Sequence, residues 1–223
     1  MPCDLGYKSY IVVRLPKPQP KQFKKKIQSP KIDAELLSLI GADEPEFVEW
    51  LNDMKTKPLL EEALRRAFKK VSIPKGLRFS VDDGSLIVIG AYTDAVAKAA
   101  MEEASRAVGE RYQMEILTIV AQLLDYEVIA SVAKDGSWTI KGEKEQEGVE
   151  VNAYLEVTKD ADGGAMMFEH FQSAKARDLE QAKFLATAQK LGLKISVGER
   201  RASGSPIPGG AHHKHFLKEG GRA

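Results

Sequence analysis

Residues 109–145, GERYQMEILTIVAQLLDYEVIASVAKDGSWTIKGEKE, decide the fold. Tyr112, Ile116, Ile119, Val120 and Leu123 recur at helical spacing, so the first half predicts the end of a long amphipathic helix. Asp125 closes it. Tyr126–Ala133 and Ser137–Lys144 then flank Lys134-Asp135-Gly136, a turn whose glycine takes positive φ without strain, and this predicts a β-hairpin. A helix running straight into a hairpin of antiparallel strands is the signature of an α+β domain.

Upstream, Ala95–Leu124 predicts one helix capped by Thr93 or Asp94. Its first half is rich in alanine, and Gly109 within it costs about 1 kcal/mol against alanine, which marks a kink or a division into two helices. Leu77–Val81 and Ser85–Gly90 predict a hairpin around Asp82-Asp83-Gly84. Before it, Leu60, Leu64, Ala67, Phe68 and Val71 form a helical stripe, with Glu61 and Glu62 early and Arg65, Arg66, Lys69 and Lys70 late, matching the helix macrodipole. Asp43-Glu44-Pro45-Glu46 predicts a helix start with Asp43 as cap, ahead of Phe47, Trp50, Leu51 and Met54. Ser29-Pro30 predicts a further helix entry, stopped at Gly41. Tyr7–Leu15 is strand-like, and Pro16, Pro18 and Pro20 make residues 16–22 extended.

Downstream, Val149–Thr158 alternates apolar and polar residues, Asp160–Gly164 turns, and Ala165–Phe171 pairs back. Lys175–Leu191 predicts the last helix, stopped at Gly192, and Leu193–Val197 a short final strand. The expectation is therefore α+β: an antiparallel sheet built from hairpins, packed against a long helix and a C-terminal helix, with an N-terminal helical segment and extended basic ends. In domains, this divides the chain into a strand plus a basic Pro/Lys-rich arm (1–31), a helical segment (32–72), an α+β core (73–198) and a flexible basic Gly/Ser/His tail (199–223).

The net charge of +1 conceals a segregation. Residues 14–31 carry seven Lys/Arg and no acid, and residues 199–223 carry five Lys/Arg against two Glu. Residues 32–198 hold 20 Lys/Arg against 29 Asp/Glu, a net charge of −9. Basic ends on an acidic body point to an anionic partner. Arg14, Lys17, Lys21, Lys24, Lys25, Lys26 and Lys31 set cations along an extended backbone that can follow phosphates and release counterions, and Phe23 can stack on a base. Arg200 and Arg201 offer the same in the tail. Two competing readings leave these cations simply solvated, or docked on the chain's own acidic body.

Other candidate sites are weaker. His212, His213 and His215 form the only histidine cluster; imidazoles so close in a flexible chain hold Zn²⁺ or Ni²⁺ weakly, and a structural zinc site needs four N/S ligands, the fourth of which Cys3 supplies only if the termini meet. Asp160-Ala161-Asp162-Gly163-Gly164 begins like a calcium loop, but Phe171 stands where the bidentate glutamate belongs. His170 is the one candidate general base. No phosphate-binding, dinucleotide-binding or HExxH pattern occurs, so no cofactor is implied. No run approaches the length of a membrane span, the first residues lack the pattern of a secretory signal, and the single cysteine suits a reducing cytoplasm.

Glu110-Arg111-Tyr112, the apolar helix with Ile116-Leu117, then Tyr126-Glu127-Val128 and Asp135-Gly136-Ser137 resemble the conserved hypothetical chloroplast reading frame 35 family, also found in bacteria. In that family a similar Arg-Tyr opens a helix, an aromatic-acid-Val run starts a strand and Asp-Gly-Ser turns it. The resemblance covers residues 110–140 and departs upstream, where Ala95–Ala107 is rich in alanine rather than aromatic residues. It implies the α+β fold and no catalytic residue.

The expected function is a non-enzymatic cytoplasmic binding or adaptor protein whose arms engage RNA or an acidic protein surface. The alternatives are a small enzyme with a helix–sheet pocket near His170, and a structural homo-oligomer pairing through a sheet edge.

Overall fold

The computed structural model describes residues 7–13, 32–75, 77–82, 85–92, 95–147, 150–160, 163–193 and 195. They form seven strands and five helices in the order β1 (Tyr7–Val13), α1 (Ala34–Asp43), α2 (Pro45–Asp53), α3 (Thr56–Phe68), β2 (Arg78–Asp82), β3 (Ser85–Tyr92), α4 (Ala95–Leu123), β4 (Glu127–Val132), β5 (Trp138–Lys144), β6 (Ala153–Lys159), β7 (Gly164–Glu169) and α5 (Ala174–Lys190). The fold is α+β, with antiparallel sheets built from hairpins. There are two sheets rather than one, ordered β1-β3-β2 and β4-β5-β6-β7, with β1 on the free side of β3. Two compact units result: one holds Leu51–Ile116 and Ala188–Ile195 with β1, the other Asp33–Trp50 and Leu117–Thr187.

In the first unit, Leu86 and Val88 of β3 are buried, and Phe79 of β2 meets Phe68 of α3 edge-on at 5.2 Å. α3 differs from expectation in its charges. Its first turn holds no acid, so Glu62 acts not on the macrodipole but on its neighbours, bonding Arg65 at 2.5 Å and Arg66 at 2.8 Å. Those guanidiniums hold the Glu62 carboxyl down at about 2. Val71 falls beyond the helix.

Ser29 and Pro30 lie outside the described residues, and α1 is described from Ala34. Asp33 is its cap, accepting from the Glu35 N–H at 3.0 Å, and the helix runs through Gly41 until the Glu44 N–H reaches the Ile40 carbonyl at 2.7 Å. Asp43 thus ends α1 rather than starting α2, whose first residue is Pro45. α4 is one continuous helix through Gly109. Its second half is not an amphipathic stripe: Met114 to Ala121 are all buried, Glu115 and Thr118 included, and Arg111 meets Glu115 at 3.1 Å. A helix apolar on nearly every side lies inside the core.

α4 ends in a Schellman motif. The Tyr126 N–H reaches the Ala121 carbonyl at 3.0 Å and the Asp125 N–H the Gln122 carbonyl at 3.1 Å. Asp125 occupies the position usually given to glycine, at φ 66°. α5 ends the same way at Gly192, φ 87°, as its sequence predicts.

The second unit is the β4–β7 sheet with α5 against it: Phe184 is fully buried and meets Phe168 of β7 edge-on at 5.8 Å. The Lys134-Asp135-Gly136 turn forms as expected, with Gly136 at φ 87° and the Asp135 carboxylate accepting from Ser137 N–H and Oγ at 2.9 and 2.6 Å. β6 begins at Ala153, four residues later than its alternation predicts, and β7 ends at Glu169. Of the predicted strand 193–197, Leu193 and Ile195 are described and neither lies in a strand.

Tyr126 lies over Gly142 of β5: a Cβ there would stand 3.1 Å from Tyr126 Cδ1 and 3.2 Å from its Cβ. Gly142→Ala is therefore expected to lower stability by about 1–3 kcal/mol through overpacking, read as a fall in the denaturant midpoint with unchanged slope; an unchanged midpoint would show that the ring moves aside freely.

Candidate functional site

The residues expected to bind a partner lie outside the described residues: Arg14, Lys17, Lys21, Phe23, Lys24, Lys25, Lys26 and Lys31 in the arm, and Arg200 and Arg201 in the tail. So do Cys3 and the His212, His213, His215 cluster. Among the described residues no group of three or more His, Cys, Asp or Glu is placed to hold a metal ion. No helix among them is long and apolar enough to cross a membrane.

The described residues do form an acidic cleft of about 410 Å³ lined by Asp125, Glu127, Glu143, Lys144, Glu145 and Asn152. Each wall has a local cause. Asp125 is held there by the left-handed turn that ends α4, and Glu127 opens β4 two residues later. Register does the rest. Glu127 stands directly opposite Glu143, Glu143 opposite Tyr154, and Tyr154 opposite Glu169, so three glutamates and a tyrosine share one row on one face of the sheet. Glu143 is only 3% exposed, and Asn152 Nδ2 donates to its Oε2 at 3.3 Å. Burial, the Glu156 carboxylate to which its hydroxyl donates at 2.7 Å, and the charges of Glu169 and Glu143 all push the Tyr154 phenol up.

Lys144 is the one cation of the cleft, and it is committed elsewhere. Its Nζ bonds Glu180 of α5 at 3.0 Å and lies 5.6 Å from the centre of the Tyr126 ring. Glu180, itself buried, also takes Lys183 at 3.3 Å, and Lys183 reaches Glu44 at 3.1 Å and sits 5.5 Å over the Phe47 ring. Burial pulls the Lys183 pKa down, but Glu180 and Glu44 more than offset this and hold it above its ordinary value. Burial pushes the Tyr126 pKa strongly up, and the nearby Glu180 adds to it.

His170 is not a wall of this cleft. Its backbone is left-handed at φ 62°, its Nε2 lies 3.9 Å from the Glu169 carboxylate, and its ring centre is 6.4 Å from that of Tyr154. Its carbonyl accepts from Gln146 Nε2 at 2.7 Å, and the same nitrogen donates to the Val151 carbonyl at 2.9 Å. Gln172 donates to the Glu147 carbonyl at 2.8 Å. The backbone at His170 thus pins the connection between β5 and β6 by ordinary hydrogen bonds.

Chemically the cleft is a recess of four carboxylates, one amide and the Lys144 ammonium that is held by Glu180, a set that accepts hydrogen bonds from cations and contains no nucleophile–base pair. Sequence reasoning misses it because its members are spread from Asp125 to Asn152. The signal available is the outward alternation Glu127, Ile129, Ser131, which has meaning only once β5 is known to pair with β4. The chain matches no family model, no curated protein and no solved structure.

Like charges directly opposed on a sheet repel, so Glu127→Gln is expected to raise stability by roughly 0.2–1 kcal/mol, seen as a higher midpoint of thermal unfolding; a lower midpoint would mean the pair is already relieved. Glu180→Gln leaves two cations facing one neutral group in a buried place and is expected to cost about 3–5 kcal/mol. Lys183, whose folded pKa is raised, favours the folded state fully below its unfolded value and loses that contribution as pH rises through the folded value; the buried Tyr126 has the same sign. The wild type is therefore expected to lose stability steeply above roughly pH 10, and E180Q to show a shallower alkaline slope in a pH series of denaturation curves.

Proposed function

We propose that the chain is a non-enzymatic binding or adaptor protein of the cytoplasm, whose basic ends engage an anionic partner, RNA or an acidic protein surface. One observation carries this reading: seven Lys/Arg without an acid in residues 14–31, and a net charge of +3 in residues 199–223, on a body of net charge −9. The body supports it by using its own cations internally. Arg65 and Arg66 meet Glu62, Arg106 meets Glu103 and Glu110, Lys144 and Lys183 meet Glu180, and Lys175 meets Asp43. The carboxylates gathered in the cleft at Asp125, Glu127 and Glu145 repel a phosphate chain from that part of the body and leave the ends to receive it. The enzyme alternative at His170 has only the left-handed backbone there in its favour. The oligomer alternative has the outer strands β4 and β7, with Ile129, Val132 and Met167 exposed.

The test is the salt dependence of RNA retention. Deleting residues 14–28 removes Arg14, Lys17, Lys21, Lys24, Lys25 and Lys26. If each neutralises one phosphate of a single strand, the slope of log affinity against log salt is expected to flatten by about 4. Retention that ignores salt, or a slope the deletion leaves unchanged, would sink the reading. Retention of an acidic polypeptide but not RNA under the same salt series would assign the arms to a protein surface.

A further inference from the structure

The outward face of α2 is built around an indole. Trp50 is 38% exposed, and it is the one exposed aromatic among the described side chains. Glu46 and Trp50, four apart, are neighbours on the helix surface, and Glu49, three beyond Glu46, extends the same face. All three are exposed. The adjoining side of α2 turns inward and shows what a ring and a carboxylate do together. Phe47, its ring centre 5.0 Å from that of Trp50, has the Lys183 ammonium 5.5 Å over it, and Glu44 pairs with that ammonium at 3.1 Å. One cation is thus held by an aromatic face and an acid. Trp50 with Glu46 repeats the combination toward solvent, with the ring type that attracts cations most strongly.

Charge names the occupant. Residues 33–50 carry six Asp/Glu and no Lys/Arg. α5 neutralises two of the six, since Lys175 meets Asp43 at 2.7 Å and Lys183 meets Glu44. Glu46 and Glu49 enter no ion pair among the described residues. We propose that the face of α2 formed by Glu46, Glu49 and Trp50 is a docking site for a basic peptide segment, with an arginine laid flat on the indole and the edge of its guanidinium turned to the carboxylates. Arginine suits the site better than lysine, because its planar cation stacks on a ring while its fork of N–H donors meets carboxylate oxygens. A nucleic acid does not suit it, because the same carboxylates repel phosphate. The proposal goes beyond the reading of the basic ends, whose partner is anionic, and it does not rest on that reading.

The experiment uses the full chain with fluorescein-labelled octa-arginine, octa-lysine and octa-glutamate, read by anisotropy across a salt series. Unlabelled octa-arginine is added in parallel while tryptophan fluorescence is quenched with acrylamide. The other tryptophan, Trp138, is buried, so the quenching reports Trp50. Octa-arginine is expected to bind more tightly than octa-lysine and to shield Trp50, and octa-glutamate not to bind. Trp50→Ala is expected to weaken octa-arginine about two- to fivefold with the salt slope unchanged, and Trp50→Phe to recover part of the loss, since the ring contact carries no net charge. Glu46→Gln combined with Glu49→Gln is expected to weaken it about fivefold and to flatten the salt dependence. Glu127→Gln, which takes the same charge from the cleft, is expected to cost less than about twofold. If circular dichroism shows Trp50→Ala unfolded, Glu46→Lys with Glu49→Lys decides, expected to weaken binding by about tenfold or more where Glu127→Lys does not. Octa-arginine that binds and leaves Trp50 open to the quencher would overturn the proposal. Equal losses from the α2 and cleft variants would overturn it as well, by showing attraction to net charge alone, and so would the absence of salt-sensitive binding of either basic peptide. None of these results bears on RNA retention by the basic ends, so the two readings fail separately.

Discussion

A buried glutamate holds the second unit in its one arrangement. Glu180 of α5 faces Lys144 of β5 and Lys183 a turn further along its own helix, and Lys183 hands the charge on to Glu44 where α1 meets α2. An unpaired charge at such depth is costly, so every partner must arrive together. The geometry is demanding in a way that apolar packing is not. A slip of β5 by a single residue turns Lys144 to the other face of the sheet and leaves Glu180 with one cation instead of two. The rings of Tyr126 and Phe47 lie under the two ammonium groups, and Gly142 keeps the space in which the Tyr126 ring rests. Packing, charge and register therefore specify one another at this point.

The same register creates the cleft. With Lys144 turned toward α5, its strand neighbour Glu143 must turn the opposite way, into line with Glu127. The acidic row is thus the reverse side of the buried ion pair. It is tolerated because Asn152 donates to Glu143 and because the exposed Glu127 keeps its water. A row of carboxylates here repels phosphate.

Much of the element pattern is legible in the chain alone. The helix-to-hairpin passage at 109–145, the hairpins flanking residues 83–84 and 134–136, and the stop at Gly192 all form as their residues predict. The departures have local causes. Gly41 has the look of a terminator, but it precedes the true end because the orphan carbonyl of Ile40 is met by Glu44. Asp33 supplies the capping oxygen of α1. The helical stripe at 112–123 is genuine yet incomplete: periodicity reports the most apolar side and is silent when Glu115 and Thr118 are buried as well. The cleft is not legible at all, because no local pattern says which strand faces Glu127.

The residues alone settle much of what acts within one tight reversal, such as glycine at positive φ at Gly136 and Gly192, together with apolar spacing and the distribution of charge along the chain. These depend on atoms a few residues apart, so a linear reading reaches them. Folding in three dimensions is needed for contacts between distant stretches. Tyr10 falls opposite Ile89 in a sheet, Lys144 finds Glu180 36 residues away, and Lys183 finds Glu44 139 residues away. Such pairs form because particular strand edges and helix faces are brought together by packing, and many pairings satisfy the same local periodicity. Choosing among them takes the buried charges and the shape of the whole core, which no short window of sequence contains.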